Sequence, residues 1–196
     1  MLKDFIIAGV GGQGGLLATS VLARVFMKAG FDVKTSEVHG MAQRGGTVVS
    51  YVRRGPKVYS PLVPSGEADA ILGLEILEAY RQLSELKPGG LVVTSDEQVK
   101  PVSVIMGQTR YPDIRPESFS PRAGKILIIP ALAKAKEAGN VRAANTVCLG
   151  ALSLFLEVKR DIWEETIAET VPARAIEVNL KAFHAGRSFA ETALRP

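Results

Sequence analysis

The stretch FIIAGVGGQGGLLATSVLARVF, residues 5–26, decides the fold. A compact apolar run ends in glycines, and Leu17, Val21, Leu22, Val25 and Phe26 then recur at helical spacing until Gly30 supplies a stop. This is a strand, a tight turn and a helix. Gly9, Gly11 and Gly14 satisfy G-x-G-x-x-G in that context, and Gly12 and Gly15 open the turn further. Glycine permits positive φ and close backbone approach, while free amides at a helix N-terminus face an anion. Two readings stand at this point: the turn cradles a phosphate-bearing ligand, or it only lets a helix pack tightly on a sheet.

Downstream, FDVKTSEV reads as a second strand, and TVVSYVRRGPKVYSPLV as two short strands around Arg54-Gly55-Pro56. ADAILGLE is a buried strand, ILEAYRQLSELK a helix, and the PGG after it a stop before the strand LVVTS. VSVIMG reads as a strand, the proline-rich segment 110–124 has no periodicity and takes no role, and KILIIPALAKAKEAG gives a strand and a short helix. NTVCLGALSLFLE, DIWEETIAETV and PARAIEVNLKAFHAGRSFAETAL read as three helices. Such alternation predicts one Rossmann-like, three-layer α/β domain over residues 1–196, with a mostly parallel sheet, helices on both faces and a helical C-terminal tail. NTVCLGALSLFL is apolar all round, which places it in the core or at a subunit interface. Gly150 inside it costs about 1 kcal/mol against alanine, so close packing has to compensate.

The 196 residues are 46% hydrophobic and 22% charged, the composition of a globular chain. No run approaches the roughly 18 apolar residues of a membrane span, and the N-terminal apolar run leads into a glycine turn instead of a cleavage site. A soluble, cytoplasmic protein without a membrane partner is expected. The net charge is +4, but acids and bases are interleaved and no basic block exceeds Arg53-Arg54, so nucleic acid is not an expected partner. Cys148 is the single cysteine, which rules out an internal disulfide, and no metal site is predicted.

The segment SEVHGMAQRGG, residues 36–46, gathers the remaining chemistry. His39 has the type of a general base, Glu37 of its orienter and Arg44 of an anion clamp. The bland alternative is a loop histidine that hydrogen-bonds backbone, and His184, beside Phe183 on the last helix, reads as a packing or surface residue. Glu37 also lies 23 residues after Gly14, near where a ribose-binding acid belongs. Against a dehydrogenase stand the polar loop and hairpin that follow Glu37 and the lack of a second domain for a hydride donor's substrate.

Taken together, GVGGQG at 9–14 and RGG at 44–46 resemble the gamma-type subunit or domain of 2-oxoacid:ferredoxin oxidoreductases. ADAILGLEILEAYR at 68–81, NTVCLGAL at 145–152 and NLKAFHAG at 179–186 extend the resemblance over essentially the whole chain, and SEVHGMAQRGG looks most like the small beta subunit of the indolepyruvate branch. The resemblance implies a subunit that helps decarboxylate arylpyruvates oxidatively, with coenzyme A as co-substrate and ferredoxin as acceptor. It implies a heteromer whose large alpha subunit carries thiamine diphosphate and iron-sulfur clusters, since one cysteine cannot hold a four-cysteine cluster and no Gly-Asp-Gly then Asn-Asn pattern is present. No tightly bound cofactor is expected on this chain. Its glycine loop (Gly9, Gly11, Gly12, Gln13, Gly14) and Gly45-Gly46 would receive coenzyme A or substrate, with Glu37, His39 and Arg44 at the reacting end. Two alternatives remain open: a gamma subunit for pyruvate, 2-ketoisovalerate or 2-oxoglutarate, and a self-contained NAD(P)-binding oxidoreductase.

Overall fold

The computed structural model describes residues 2–40 and 46–195. Strand β1 (Asp4–Val10) leads through the glycine turn into helix α1 (Gly15–Lys28), which returns the chain to β2 (Asp32–His39). Then come β3 (Thr47–Gly55), β4 (Ala68–Gly73), α2 (Ile76–Arg81), β5 (Leu86–Ser95) and the one-turn helices α3 (Val102–Ile105) and α4 (Pro116–Phe119). Strand β6 (Ala123–Ile129) and helices α5 (Ala131–Ala138), α6 (Ala144–Ser153), α7 (Arg160–Thr170) and α8 (Ile176–Ala193) complete the chain. The six strands form one sheet in the order β2-β3-β1-β4-β5-β6. β1, β4, β5 and β6 are parallel neighbours, whereas β3 runs antiparallel to both β1 and β2.

Parallel strands buried on both faces read as continuous apolar runs, and every residue of β4 is buried. Alternation still decides which layer each side chain meets. Phe5, Ile7, Leu72 and Val93 pack under α1, α6, α7 and α8, while Ile6, Ile71 and Val92 pack under α2, Ile114 and Phe119 of α4. The layers are unequal: the helical C-terminal part of the chain lies on the first face as its cover, and the second face has a thin one. Nine of the ten residues of α6 are buried within this chain, so its all-round apolarity belongs to the core.

Local expectations failed where tertiary contacts override propensity. TVVSYVRRG is one strand, and residues 56–67 form no strand. Val58 N donates to Asp32 Oδ2 (2.9 Å) and Arg53 Nη1 to the Leu62 carbonyl (2.7 Å), which hold that segment as a loop. VSVIMG supplies a helical turn, not a strand. Helix α2 stops at Arg81, because Leu86 must turn into the core, and Pro88-Gly89-Gly90 lies inside β5 at a register shift against β6.

Candidate functional site

The glycine turn is held from three sides. Gly11 N donates to the Gly46 carbonyl (3.0 Å), and Gln13 N to the Val10 carbonyl (3.2 Å). The Gln13 side chain braces the ends of neighbouring strands: its Oε1 accepts from Val10 N (2.7 Å) and its Nε2 donates to the Leu74 carbonyl (3.1 Å). Both ends of that amide are therefore taken up by backbone. Gly14, at φ +80°, is the N-cap of α1, and its carbonyl accepts from Asn145 Nδ2 (3.0 Å). A Cβ at Gly14 would lie 2.6 Å from that nitrogen, so glycine is needed here for its φ and for the close approach. Helix α1 begins without a side-chain cap and without an acid in its first turn, which leaves the amides of Gly15–Leu17 available to an external acceptor.

The wall facing this turn is built by cross-strand register. Ile7 of β1, Ser50 of β3 and Glu37 of β2 form one row, and Gly9, Val48 and His39 the next, all on the α1 face of the sheet. Wall and turn enclose a cavity of about 560 Å³, with Leu16 and Leu74 among its apolar lining. Glu37 is largely buried, His39 is exposed, and His39 Nε2 lies 2.6 Å from Glu37 Oε1, off the line of a hydrogen bond. Glu37 Oε1 and Ser50 Oγ are both buried without a hydrogen-bond partner among the described residues.

Sequence-predicted residues mostly converge here. Gly9, Gly11, Gly12, Gly14, Glu37 and His39 line the cavity, and Gly46 joins it through its carbonyl. Gln13 instead borders a second crevice of about 400 Å³ on the other side of the turn, with Asn145, Glu97 and Cys148. Arg44 and Gly45 lie outside the described residues. Sequence reasoning missed Ser50 and Asn145. Ser50 had a signal: it sits on the apolar parity of Val48 and Val52, where a polar side chain is out of place.

The pyruvate ferredoxin/flavodoxin oxidoreductase family matches residues 4–189. The chain belongs to this family. Within it, the chain is 43% identical over 191 residues to the indolepyruvate oxidoreductase subunit IorB of Pyrococcus horikoshii, covering 93% of each chain. It also superposes on the keto/oxoacid ferredoxin oxidoreductase gamma subunit of Geobacter sulfurreducens, with a TM-score of 0.71 and 25% identity over 97% of this chain and 99% of that one. A third relative is the 2-oxoglutarate:ferredoxin oxidoreductase of Magnetococcus marinus, solved with 2-oxoglutarate, coenzyme A and succinyl-CoA bound. There the TM-score is 0.73 at 25% identity, covering 98% of this chain but 32% of that one.

In this member of the pyruvate ferredoxin/flavodoxin oxidoreductase family the cysteine is a buried free thiol. Burial, and then the charges of Glu97 and Asp96, push the Cys148 thiol up to about 12. Desolvation likewise raises the Glu97 and Asp96 carboxyls above their ordinary values. Among the described residues no three His, Cys, Asp or Glu side chains converge as a metal-ligand set. Glu75 is fully buried but satisfied: it caps α2 through Glu78 N (2.7 Å) and also accepts from Val99 N (3.0 Å) and the Tyr111 hydroxyl. His184 packs edge-on to Phe183 and stands 3.5 Å from Glu164, consistent with the packing or surface role expected of it. No described helix is long and apolar enough to cross a membrane.

Proposed function

We propose that this chain is the small subunit of a heteromeric indolepyruvate:ferredoxin oxidoreductase. The proposed reaction breaks the bond between the carbonyl carbon and the carboxylate, releases carbon dioxide, forms the coenzyme A thioester and passes an electron pair to ferredoxin. The observation that carries this reading is the 43% identity to an indolepyruvate oxidoreductase subunit over nearly the whole of both chains. Thiamine diphosphate and the iron-sulfur clusters would supply the carbanion and electron-transfer chemistry from a large alpha subunit, because Cys148 is the only thiol here and it is fully buried.

The contribution of this chain follows from its cavity. The uncapped amides of α1 and the Gly11–Gly14 turn suit an anionic group of the substrate or of coenzyme A. The apolar walls exclude water from a reactive intermediate, and Glu37 with His39 forms the polar end. Arg44 is assigned the anion clamp, and Gly45 with Gly46 the close of the same loop. The proposed setting is the cytoplasm.

A dinucleotide-binding reading has Glu37 in its favour, at the end of β2 and facing the glycine turn. The sheet order counts against it: β3 stands between β1 and β2, which moves Glu37 one strand spacing, about 4.8 Å, from where an acid on an adjacent strand would stand. The deciding experiment is anaerobic affinity purification of the tagged chain from its native host. Recovery of a large, brown, iron-containing partner with coenzyme A-dependent indolepyruvate oxidation is the expected result. A colourless chain recovered alone, binding NAD or NADP tightly and losing that binding in Glu37→Ala, would refute it.

A further inference from the structure

We propose that Glu37 and Ser50 form a hydrogen-bond-accepting floor in the glycine-turn cavity that selects arylpyruvates whose ring carries an N–H or O–H, indolyl and 4-hydroxyphenyl side chains, over a plain phenyl ring. The assignment rests on the function proposed above and names the residues that set its substrate preference. The two side chains are cross-strand neighbours on one face of the β2–β3 pair, and Ile7 completes their row. Ser50 is 1% exposed, and neither its Oγ nor Glu37 Oε1 has a hydrogen-bond partner among the described residues, the His39 Nε2 that lies 2.6 Å from Glu37 Oε1 making no hydrogen bond to it. An acceptor held away from water without a donor is costly, and nearly all such atoms in folded proteins are paired. Two of them side by side in the lining of an open cavity are satisfied when a ligand brings the donor.

The rest of the cavity narrows the kind of ligand. Ile7, Val48, Leu16 and Leu74 offer apolar walls, and the volume of about 560 Å³ lies within the range of small-molecule sites and admits a bicyclic ring. A carboxylate at the floor repels a phosphate there, and the exposed His39 is the only basic side chain lining the cavity among the described residues. The opposite end carries the uncapped amides of α1, which suit a carboxylate. A ligand that satisfies both ends has an anionic head, a flat apolar body and a donor on its far edge. Indolepyruvate and 4-hydroxyphenylpyruvate have all three, and phenylpyruvate lacks the donor.

The test uses the assembled complex carrying Glu37→Leu, Glu37→Gln or Ser50→Ala. Glu37→Leu should lower the ratio of kcat/KM for indolepyruvate to that for phenylpyruvate by about tenfold or more, because a hydrogen bond to a charged acceptor disappears for one substrate and not for the other. Ser50→Ala should lower it less, and Glu37→Gln, which keeps an acceptor, should retain most of it. Competition by indole-3-propionate against 3-phenylpropionate gives a readout independent of turnover, and the ratio of inhibition constants should move in parallel. An unmoved ratio overturns the assignment. So does an effect confined to KM for coenzyme A, which would assign the floor to a ribose hydroxyl, or loss of assembly in Ser50→Ala, which would assign it to the partner interface. A wild-type complex that oxidises no arylpyruvate refutes the proposed function itself and this assignment with it, a result distinct from an active complex with unmoved selectivity.

Discussion

Helices α6 and α8 meet backbone against backbone, and Gly150→Ala tests what that close approach is worth. A Cβ on Gly150 would lie 2.0 Å from the Phe183 carbonyl oxygen and 3.1 Å from Arg187 N, and one on Gly186 would lie 1.9 Å from the Val147 carbonyl oxygen. Ordinary contact begins near 3.4 Å, so the methyl group forces a local separation of about 1.4 Å. Backbone supplies the obstructing atom, and no rotamer change relieves it. Separation also disturbs Phe183, which stacks on the buried Trp163 at 5.7 Å, and a gap of only about 0.5–1 Å already forfeits a quarter to a half of each pair's dispersion energy. Alanine returns about 1 kcal/mol of helix propensity. Against it stand overpacking of about 3 kcal/mol, the upper end of the usual range because only backbone can give way, and the weakened packing of Phe183 on Trp163, for a net destabilisation of about 2–3 kcal/mol. For a chain of this length that lowers Tm by about 4–12 °C. Thermal melts followed by circular dichroism, with urea midpoints as a check, measure it. Gly150→Ala combined with Gly186→Ala should cost less than the sum of the single changes, because the second methyl enters space the first has opened. An unchanged or raised Tm for Gly150→Ala would refute the steric account and leave Gly150 an ordinary weak point in a helix.

Gln13→Ala removes the brace between Val10 N and the Leu74 carbonyl, and should cost about 1–3 kcal/mol in urea unfolding and lower turnover of the assembled complex. A neutral result would show that the glycine turn holds its shape without the brace. Asp69 gives a pH prediction. Burial alone would raise its carboxyl, but the Lys87 ammonium and the Lys3 and Asp4 amides outweigh that and hold it below the ordinary 3.8. A carboxyl depressed in the native state stabilises the fold above its unfolded pKa, and that contribution is lost as pH falls through the lower, native value. Asp69→Asn should therefore be less stable than wild type at pH 7 and show a shallower loss of stability below about pH 4. Parallel acid limbs in the two proteins would count against the Asp69 contacts.

What could be read in the sequence was local. The run from Phe5 to Phe26 carries its own strand, turn and helix, and the three C-terminal helices announce themselves by periodicity. The glycine positions and Glu37 could be placed together because turn and strand lie close along the chain. Non-local decisions were not legible. Nothing in TVVSYVRRG says that this strand inserts antiparallel between β1 and β2, since that depends on pairing with residues up to about fifty positions away. Gln13 reads equally well as a ligand contact or a brace until Leu74, 61 residues on, is known to stand beside it. Asn145 looks like any helix-start residue, and its bond to the Gly14 carbonyl spans 131 positions.

Apart from Leu74, every described residue lining the cavity falls between Ile7 and Ser50. The remaining three-quarters of the chain is foundation, holding the sheet against its helices and contributing one leucine to the cavity wall. Such a layout is modular in a practical sense. Exchange of one contiguous N-terminal cassette with that of a relative acting on another oxoacid would carry nearly the whole cavity with it. Besides the Gln13 to Leu74 and Gly14 to Asn145 contacts, the β1–β4 pairing and the packing of α1 on α6 and α7 would have to be matched across the seam to seat the new turn on the old pedestal.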